Sequence, residues 1–168
     1  IKAGMGHCYV AGGTESMSLI PMTGYKLSPS YEVGVTNPDY IVGMGLTAEA
    51  VANKCGITRQ AQDEFAANSH KKAAAAIDAG KFTSEIVPVK VKEVKVVDGK
   101  RVEGEWIVSM DEGVRRDTTV EGLAQLRPAF AQTGSVTAGN SSQMSDGAAF
   151  VLVMSEKMVK DLNLTPIA

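Results

Sequence analysis

The sequence predicts an α/β fold interrupted by a long insertion of different texture. Three observations carry this. Short apolar strands stand near both ends, at Cys8–Ala11 and Ala149–Met154. Between them lies an excursion of about a hundred residues, too long for an ordinary loop and rich in its own secondary-structure signals. Within that excursion, alternating Val and Lys residues meet the pair Asp98-Gly99, the signature of a tight hairpin.

Each element has a local reason. Ile1–Gly4 reads as the last turn of a helix with Gly4 as its stop, so the N-terminus begins in mid-phrase. Cys8–Ala11 follows as a buried strand that Gly12 and Gly13 close in a turn. Residues 23–37 hold Gly24, Pro29 and Gly34 and read as a surface wrap. Leu46, Ala50, Val51 and Cys55 share one helical face, with Met44 or Thr47 at the start and Gly56 as the stop. Thr58 caps the longest helix, because its hydroxyl can accept a free first-turn N–H. Ala61, Phe65, Ser69, Ala73, Ala76 and Ile77 form its expected inner face, and Gly80 its C-terminal stop. The ribbon that follows pairs Val89–Val97 with a second arm at Arg101–Val108, and a shift of alternation near Glu93 suggests a bulge. Thr118 or Thr119 caps a short helix to Leu126, and Pro128 ends it. The chain re-enters the core at Val136 and passes through the small-residue stretch from Thr137 to Ala149. After the strand ending at Met154, Ser155 caps a last helix with Met158, Val159 and Leu162 inside.

Composition excludes several classes. The chain has 168 residues, 44% of them apolar, and a formal charge of -2. That balance disfavours a nucleic-acid binder, which carries a basic face. Two cysteines without CxxC spacing imply no disulfide framework and a reduced, cytoplasmic setting. Two histidines make a histidine-based metal site improbable, so no metal is expected. No apolar run approaches the roughly 20 residues of a membrane span, and no signal peptide is visible.

The candidate chemistry is thin when read from the residues alone. Gly12-Gly13-Thr14-Glu15-Ser16 is too short for a nucleotide loop and reads as a turn. Cys8 lies in an apolar strand without a positioned base, and Cys55 at a helix C-terminus where the dipole disfavours a thiolate; both read as structural. His70, among Ser69, Lys71 and Lys72, reads as an exposed helix residue. Arg115 and Arg116 are either a phosphate grip or a solvated charged turn. Lys90, Lys92 and Lys95 read as an exposed strand face. Asp146, among small residues just before a strand, reads as a loop cap that binds backbone N–H groups.

Four stretches taken together resemble the thiolase family of acyl-CoA acyltransferases: VAGGTESMS (Val10–Ser18), MGLTAEAVANKCGITRQAQDEFAANSHKKAAAA (Met44–Ala76), LRPAF (Leu126–Phe130) and TAGNSSQMSDGAA (Thr137–Ala149). They cover most of the chain, in the family's order. The resemblance implies a partial thiolase fold. Residues 1–23 would be the end of the N-terminal α/β half-domain, 24–130 the inserted loop domain, and 131–168 the return to that half-domain with the start of a linker. The family's acyl-accepting cysteine, its NEAF asparagine, its GHP histidine and its CxG cysteine match no position here, so no catalytic residue is assigned.

The resemblance does carry over coenzyme A contacts. Arg115 matches a position near the nucleotide end, Phe130 an apolar residue beside adenine or pantetheine, Ala138 and Ser142 positions along the pantetheine arm, and Met44 a residue near the acyl end. Gly43 departs from short-chain biosynthetic members, which carry a histidine there. The implied activity of the complete protein is transfer of acyl groups between 3-ketoacyl-CoA or acetyl-CoA and coenzyme A, through a cysteine acyl-enzyme. Coenzyme A enters as a substrate, and no permanently bound cofactor is implied. The fragment itself is expected to be inactive, and the parent protein to be a homodimer or homotetramer of fatty acid metabolism. Two other readings stand beside this one: a non-enzymatic coenzyme A-binding or oligomerisation module derived from the loop domain, and a β-ketoacyl-synthase-like relative, which the loop-domain motifs disfavour.

Overall fold

A computed structural model describes residues 1–168. The element order is β1 (Cys8–Glu15), α1 (Tyr31–Thr36), α2 (Met44–Cys55), α3 (Arg59–Asp78), β2 (Val89–Val97), β3 (Lys100–Val108), α4 (Val120–Ala124), β4 (Gly147–Met154) and α5 (Glu156–Asp161), with a short 3₁₀ turn at Pro38–Ile41. The strands form two antiparallel pairs, β1 with β4 and β2 with β3. The chain divides into two compact units, residues 1–31 with 144–168 and residues 32–143. The sequence-based divisions fall at 23/24 and 130/131.

In the first unit, β1 pairs with β4 from Cys8↔Met154 to Glu15↔Gly147. Gly12 and Gly13 lie inside this strand, not in a turn after it, opposite Phe150 and Ala149. A side chain at Gly12 would collide with the Phe150 ring and the Ala149 carbonyl. Glycine there answers close cross-strand packing. Both strands were expected to be buried, yet every residue of β1 is exposed, and Val10 and Phe150 are 71% and 62% accessible. A two-stranded ribbon has neither a third strand nor a covering helix, so its apolar faces meet solvent. Cys8 and Cys55 are exposed free thiols, not buried ones. Residues 1–4 form a turn closed by the Gly4 N–H on the Ile1 carbonyl, without an assigned helix. Ser155 caps α5 as expected, accepting the Met158 N–H.

In the second unit the capping and turn signals hold, but the expected inner face of α2 does not: Leu46, Ala50, Val51 and Cys55 are exposed, and Glu49 and Ala52 are buried. Gly56 takes the left-handed conformation at the end of α2. Thr58 accepts the Ala61 N–H at the start of α3, and Thr119 accepts the Gly122 N–H at the start of α4. Asp98 and Gly99 have φ of 51 and 73, the two positive values of a type I′ hairpin. The β2–β3 register is unbroken, with Glu93 opposite Gly104, so there is no bulge. The apolar set merely changes face, which costs little where neither face is packed.

The inner face of α3 meets expectation only in its second half: Ala73, Ala76 and Ile77 are half-buried, whereas Ala61, Phe65 and Ser69 are exposed. Asp63 is buried, and Gln62, Ala66, His70, Ala73 and Ile77 are half-buried, whereas Phe65 is 78% exposed. The buried side chains of the chain are few: Ala52, Leu123 and Val136 are apolar, and Glu49, Asp63 and Thr137 are polar. The second unit is thus held as much by buried hydrogen bonds as by apolar packing.

Candidate functional site

The stretch Thr137–Gln143 is fixed from beneath by two carboxylates. Glu49 on α2 accepts the Ser135 N–H at 2.9 Å and the Val136 N–H at 2.8 Å, together with the Ser135 hydroxyl. The Ser135 and Val136 N–H groups hold the Glu49 carboxyl below its ordinary pKa, against the opposing effect of burial. Asp63 on α3 accepts Arg59 Nε at 2.7 Å and Asn140 Nδ2 at 3.0 Å. Arg59 Nη2 also donates to the Leu123 and Leu126 carbonyls. Asn140 Oδ1 accepts the Thr137 N–H at 2.7 Å, and the fully buried Thr137 hydroxyl accepts the Gly139 and Asn140 N–H groups.

Above this base lies a cleft of about 850 Å³, within the usual range for a small-molecule site. One wall is α3, through Phe65, Ser69 and His70. A second is the segment after β3, through Gly113 and Arg115. The third is Leu123 and Leu126 with the backbone from Ala138 to Gln143. An adjoining cleft of about 750 Å³ shares His70, Arg115 and Thr118 with it, so these residues stand on the partition.

His70 is half-buried rather than exposed, and its Nδ1 accepts the Arg115 N–H at 3.2 Å. That bond requires an unprotonated Nδ1. The two arginines part company here. Arg116 forms a two-pronged pair with Asp78, at 2.8 and 2.9 Å, which lowers the Asp78 pKa and raises that of Arg116. The Arg115 guanidinium makes no hydrogen bond or ion pair. It is the one available to an anion.

Of the five positions carried over from the resemblance, Arg115, Ala138 and Ser142 line the main cleft. Phe130 and Met44 do not. The Phe130 ring packs instead against Gly45, the residue after Met44 on α2. Ser142 Oγ donates to the Gln143 carbonyl and keeps lone pairs free to accept. Gly139 is small for an internal reason: a side chain there would lie 2.5 Å from methyls of Leu123 and Leu126. Residue-level reasoning missed Glu49, Asp63 and Asn140. Arg59–Asp63 at i,i+4 was the one readable sign of them.

In the first unit, Asp146 behaves as expected of a loop cap. Its carboxylate accepts the Ser18 N–H at 2.8 Å and the Ser18 hydroxyl at 2.6 Å, and these bonds hold its pKa below the ordinary value. No helix of the chain is long and apolar enough to cross a membrane.

A channel with one backbone wall and a free guanidinium near one edge suits a thin ligand with an anionic end, carried on an α/β chain. The chain belongs to the thiolase family: residues 1–157 match the model of the thiolase N-terminal domain. It is 48% identical over 159 residues to a 3-ketoacyl-CoA thiolase of Bacillus subtilis, covering 94% of this chain and 41% of that protein. It is 44% identical over 181 residues to an acetyl-CoA acetyltransferase of Escherichia coli, covering 100% of this chain and 44% of that protein. Among solved structures, the acetyl-CoA acetyltransferase of Syntrophomonas wolfei superposes with a TM-score of 0.73 at 35% identity, over 98% of this chain and 42% of that one. The dimeric peroxisomal thiolase of Saccharomyces cerevisiae gives 0.72 at 38% identity, over 97% and 40%. The fold is therefore a partial α/β thiolase fold, and the chain spans less than half the length of these relatives.

Proposed function

We propose that the protein to which this chain belongs is a coenzyme A-dependent acyltransferase, and that the main cleft receives the coenzyme A part of its substrate. The relatives named as 3-ketoacyl-CoA thiolase and acetyl-CoA acetyltransferase support this chemistry. The observation that carries it is convergence: Arg115, Ala138 and Ser142 border one cleft, and Arg115 is the cation without a partner there. In this reading the pantetheine arm lies along Ala138 and Ser142, Arg115 meets the nucleotide phosphates, and Phe130 and Met44 contact the ligand at their own positions. Coenzyme A is a substrate that comes and goes. The whole enzyme acts as a homodimer or homotetramer in the cytoplasm, in fatty acid metabolism.

Residues 1–168 by themselves bind without catalysing. Neither cysteine borders the cleft, and the cleft's histidine spends Nδ1 on a backbone N–H. A preparation of these residues that cleaves acetoacetyl-CoA after removal of contaminating thiolase refutes this.

The binding assignment is tested by comparing Arg115→Ala with Ser142→Leu in the complete protein, using a coenzyme A thioester and a pantetheine thioester that lacks the nucleotide. Ser142→Leu fills the channel and impairs both substrates. Arg115→Ala raises KM for the coenzyme A thioester with little change in kcat, because the contact is remote from the reacting carbonyl. An exposed guanidinium contributes on the order of 1 kcal/mol. Equal Arg115→Ala defects on both thioesters contradict its placement at the nucleotide end.

A further inference from the structure

Asp63 is 1% exposed, and the buried side chains around it are few. A carboxylate that deep gains nothing from being charged unless its bonds are needed. Its two oxygens are divided between two walls of the cleft. Oδ2 takes Arg59 Nε, and Arg59 Nη2 holds the Leu123 and Leu126 carbonyls. Oδ1 takes Asn140 Nδ2.

The second bond fixes an orientation together with two backbone groups, the Ser135 carbonyl and the Thr137 N–H. A carboxylate only accepts, so the Asn140 amide must turn its NH₂ toward Asp63. That places Nδ2 3.1 Å from the Ser135 carbonyl and Oδ1 against the Thr137 N–H. A flipped amide would set oxygen against oxygen at Asp63 and nitrogen against the Thr137 donor. With the amide fixed, Thr137 receives the Gly139 and Asn140 N–H groups on its hydroxyl, and Ser141 donates to the Thr137 carbonyl. The backbone from Thr137 to Ser142 is thereby held in one shape.

We propose that Asp63 is a positioning residue for ligand binding. It acts through the Asn140 amide on the Ala138–Ser142 wall, and through Arg59 on the Leu123–Leu126 wall. Asp63 does not itself border the cleft. The role in substrate affinity rests on the reading of the cleft as the coenzyme A site.

The test uses the complete protein, with KM and kcat for a coenzyme A thioester and amide hydrogen exchange at residues 137–142. Asp63→Asn loosens one of the three bonds that hold the amide, the others being to the Ser135 carbonyl and the Thr137 N–H, and removes the charge opposite Arg59. The expected result is a rise in KM of roughly tenfold with kcat little changed, since a misplaced wall weakens binding more than it alters the reacting groups. Exchange at the Thr137, Gly139 and Asn140 amides should quicken.

The exchanged pair, Asp63→Asn with Asn140→Asp, reverses donor and acceptor between the two positions but sets a carboxylate oxygen against the Ser135 carbonyl, so it should recover only part of the affinity. Asn140→Asp alone sets two carboxylates in contact, and a proton shared between them restores the bond. While both carboxylates are charged, its affinity should therefore lie below that of the exchanged pair. The other charged groups joined to this network are Arg59 on α3, present in every variant, and Glu49 on α2, bonded to Ser135.

Unchanged KM and unchanged exchange in Asp63→Asn overturn the proposal. Should that variant fail to fold, the exchanged pair carries the test, and a folded pair with no recovery of affinity also overturns it. Faster exchange in Asp63→Asn, in a protein whose wild type shows no affinity for coenzyme A, leaves the positioning of the wall standing and removes the assignment of the cleft.

Discussion

Gly45→Ala isolates the Phe130 contact by a single methyl group. Gly45 is the second residue of α2, and the Phe130 ring rests on its Cα. A methyl there would lie 2.6 Å from Cδ2 and closer still to Cγ and Cδ1. Carbon atoms settle at about 3.5–4.0 Å, so the ring must recede by roughly 1 Å or more. Forcing a methyl into a packed site costs about 1–3 kcal/mol. Phe130 is 49% exposed, and a ring open to solvent swings outward, which puts the cost near the low end. Replacing glycine by alanine within a helix returns up to about 1 kcal/mol. The two effects nearly cancel, so denaturant unfolding should show a change of less than about 1 kcal/mol.

Affinity should respond differently. Full burial of a phenylalanine is worth about 1.5–3 kcal/mol. Half of this ring is already covered, so a ligand resting on the remainder gains about 1 kcal/mol, or roughly fivefold in Kd. Gly45→Ala should therefore weaken binding of a coenzyme A thioester by about fivefold while leaving stability almost unchanged. The assay is calorimetric titration of four proteins: wild type, Gly45→Ala, Phe130→Ala and the double variant. If the methyl acts through the ring, Gly45→Ala has no further effect once Phe130 is alanine. Additive losses would refute the mechanism, and unchanged affinity in Phe130→Ala would refute the place of Phe130 beside the ligand.

Two further predictions follow from the charges. The Glu49 pKa is lowered by folding, so its contribution to stability is present above the ordinary value near 4.5 and is lost as pH falls below it toward the folded value. Thermal melts from neutral to acid pH should fall steeply in wild type and more gently in Glu49→Gln, which starts lower; identical acid limbs would contradict the Ser135–Val136 contacts as the cause. Arg116→Ala breaks only the exposed pair with Asp78 and should leave affinity for a coenzyme A thioester within about twofold. A loss as large as that of Arg115→Ala would show that Arg116 leaves Asp78 to meet the ligand.

What could be read from the sequence was local. Thr58, Thr119 and Ser155 cap helices through their own third-following N–H, and Gly56 and Asp98-Gly99 answer positive φ within one or two residues. None of these depends on a distant partner. The inner face of α3 does. Its alanines and serines give almost no apolar contrast between one stripe and the next, so Phe65 misled the choice. The face that turns inward is the one that brings Asp63 to Asn140, 77 positions away. Glu49 and Ser135 are 86 positions apart and likewise leave no periodic trace.

The same limit explains the small-residue stretch. Its composition announces a close approach to backbone, and at Gly139 the approaching groups are the chain's own leucines. Ala138 and Ser142 border the same cleft as Gly139. Composition cannot distinguish a residue kept small for internal packing from one kept small for a ligand. The distinction lies in which side of this irregular stretch the buried Asp63–Asn140 bond turns toward the helix. A substitution that frees the Asn140 amide should therefore disturb Ala138 and Ser142 together, although neither touches Asp63.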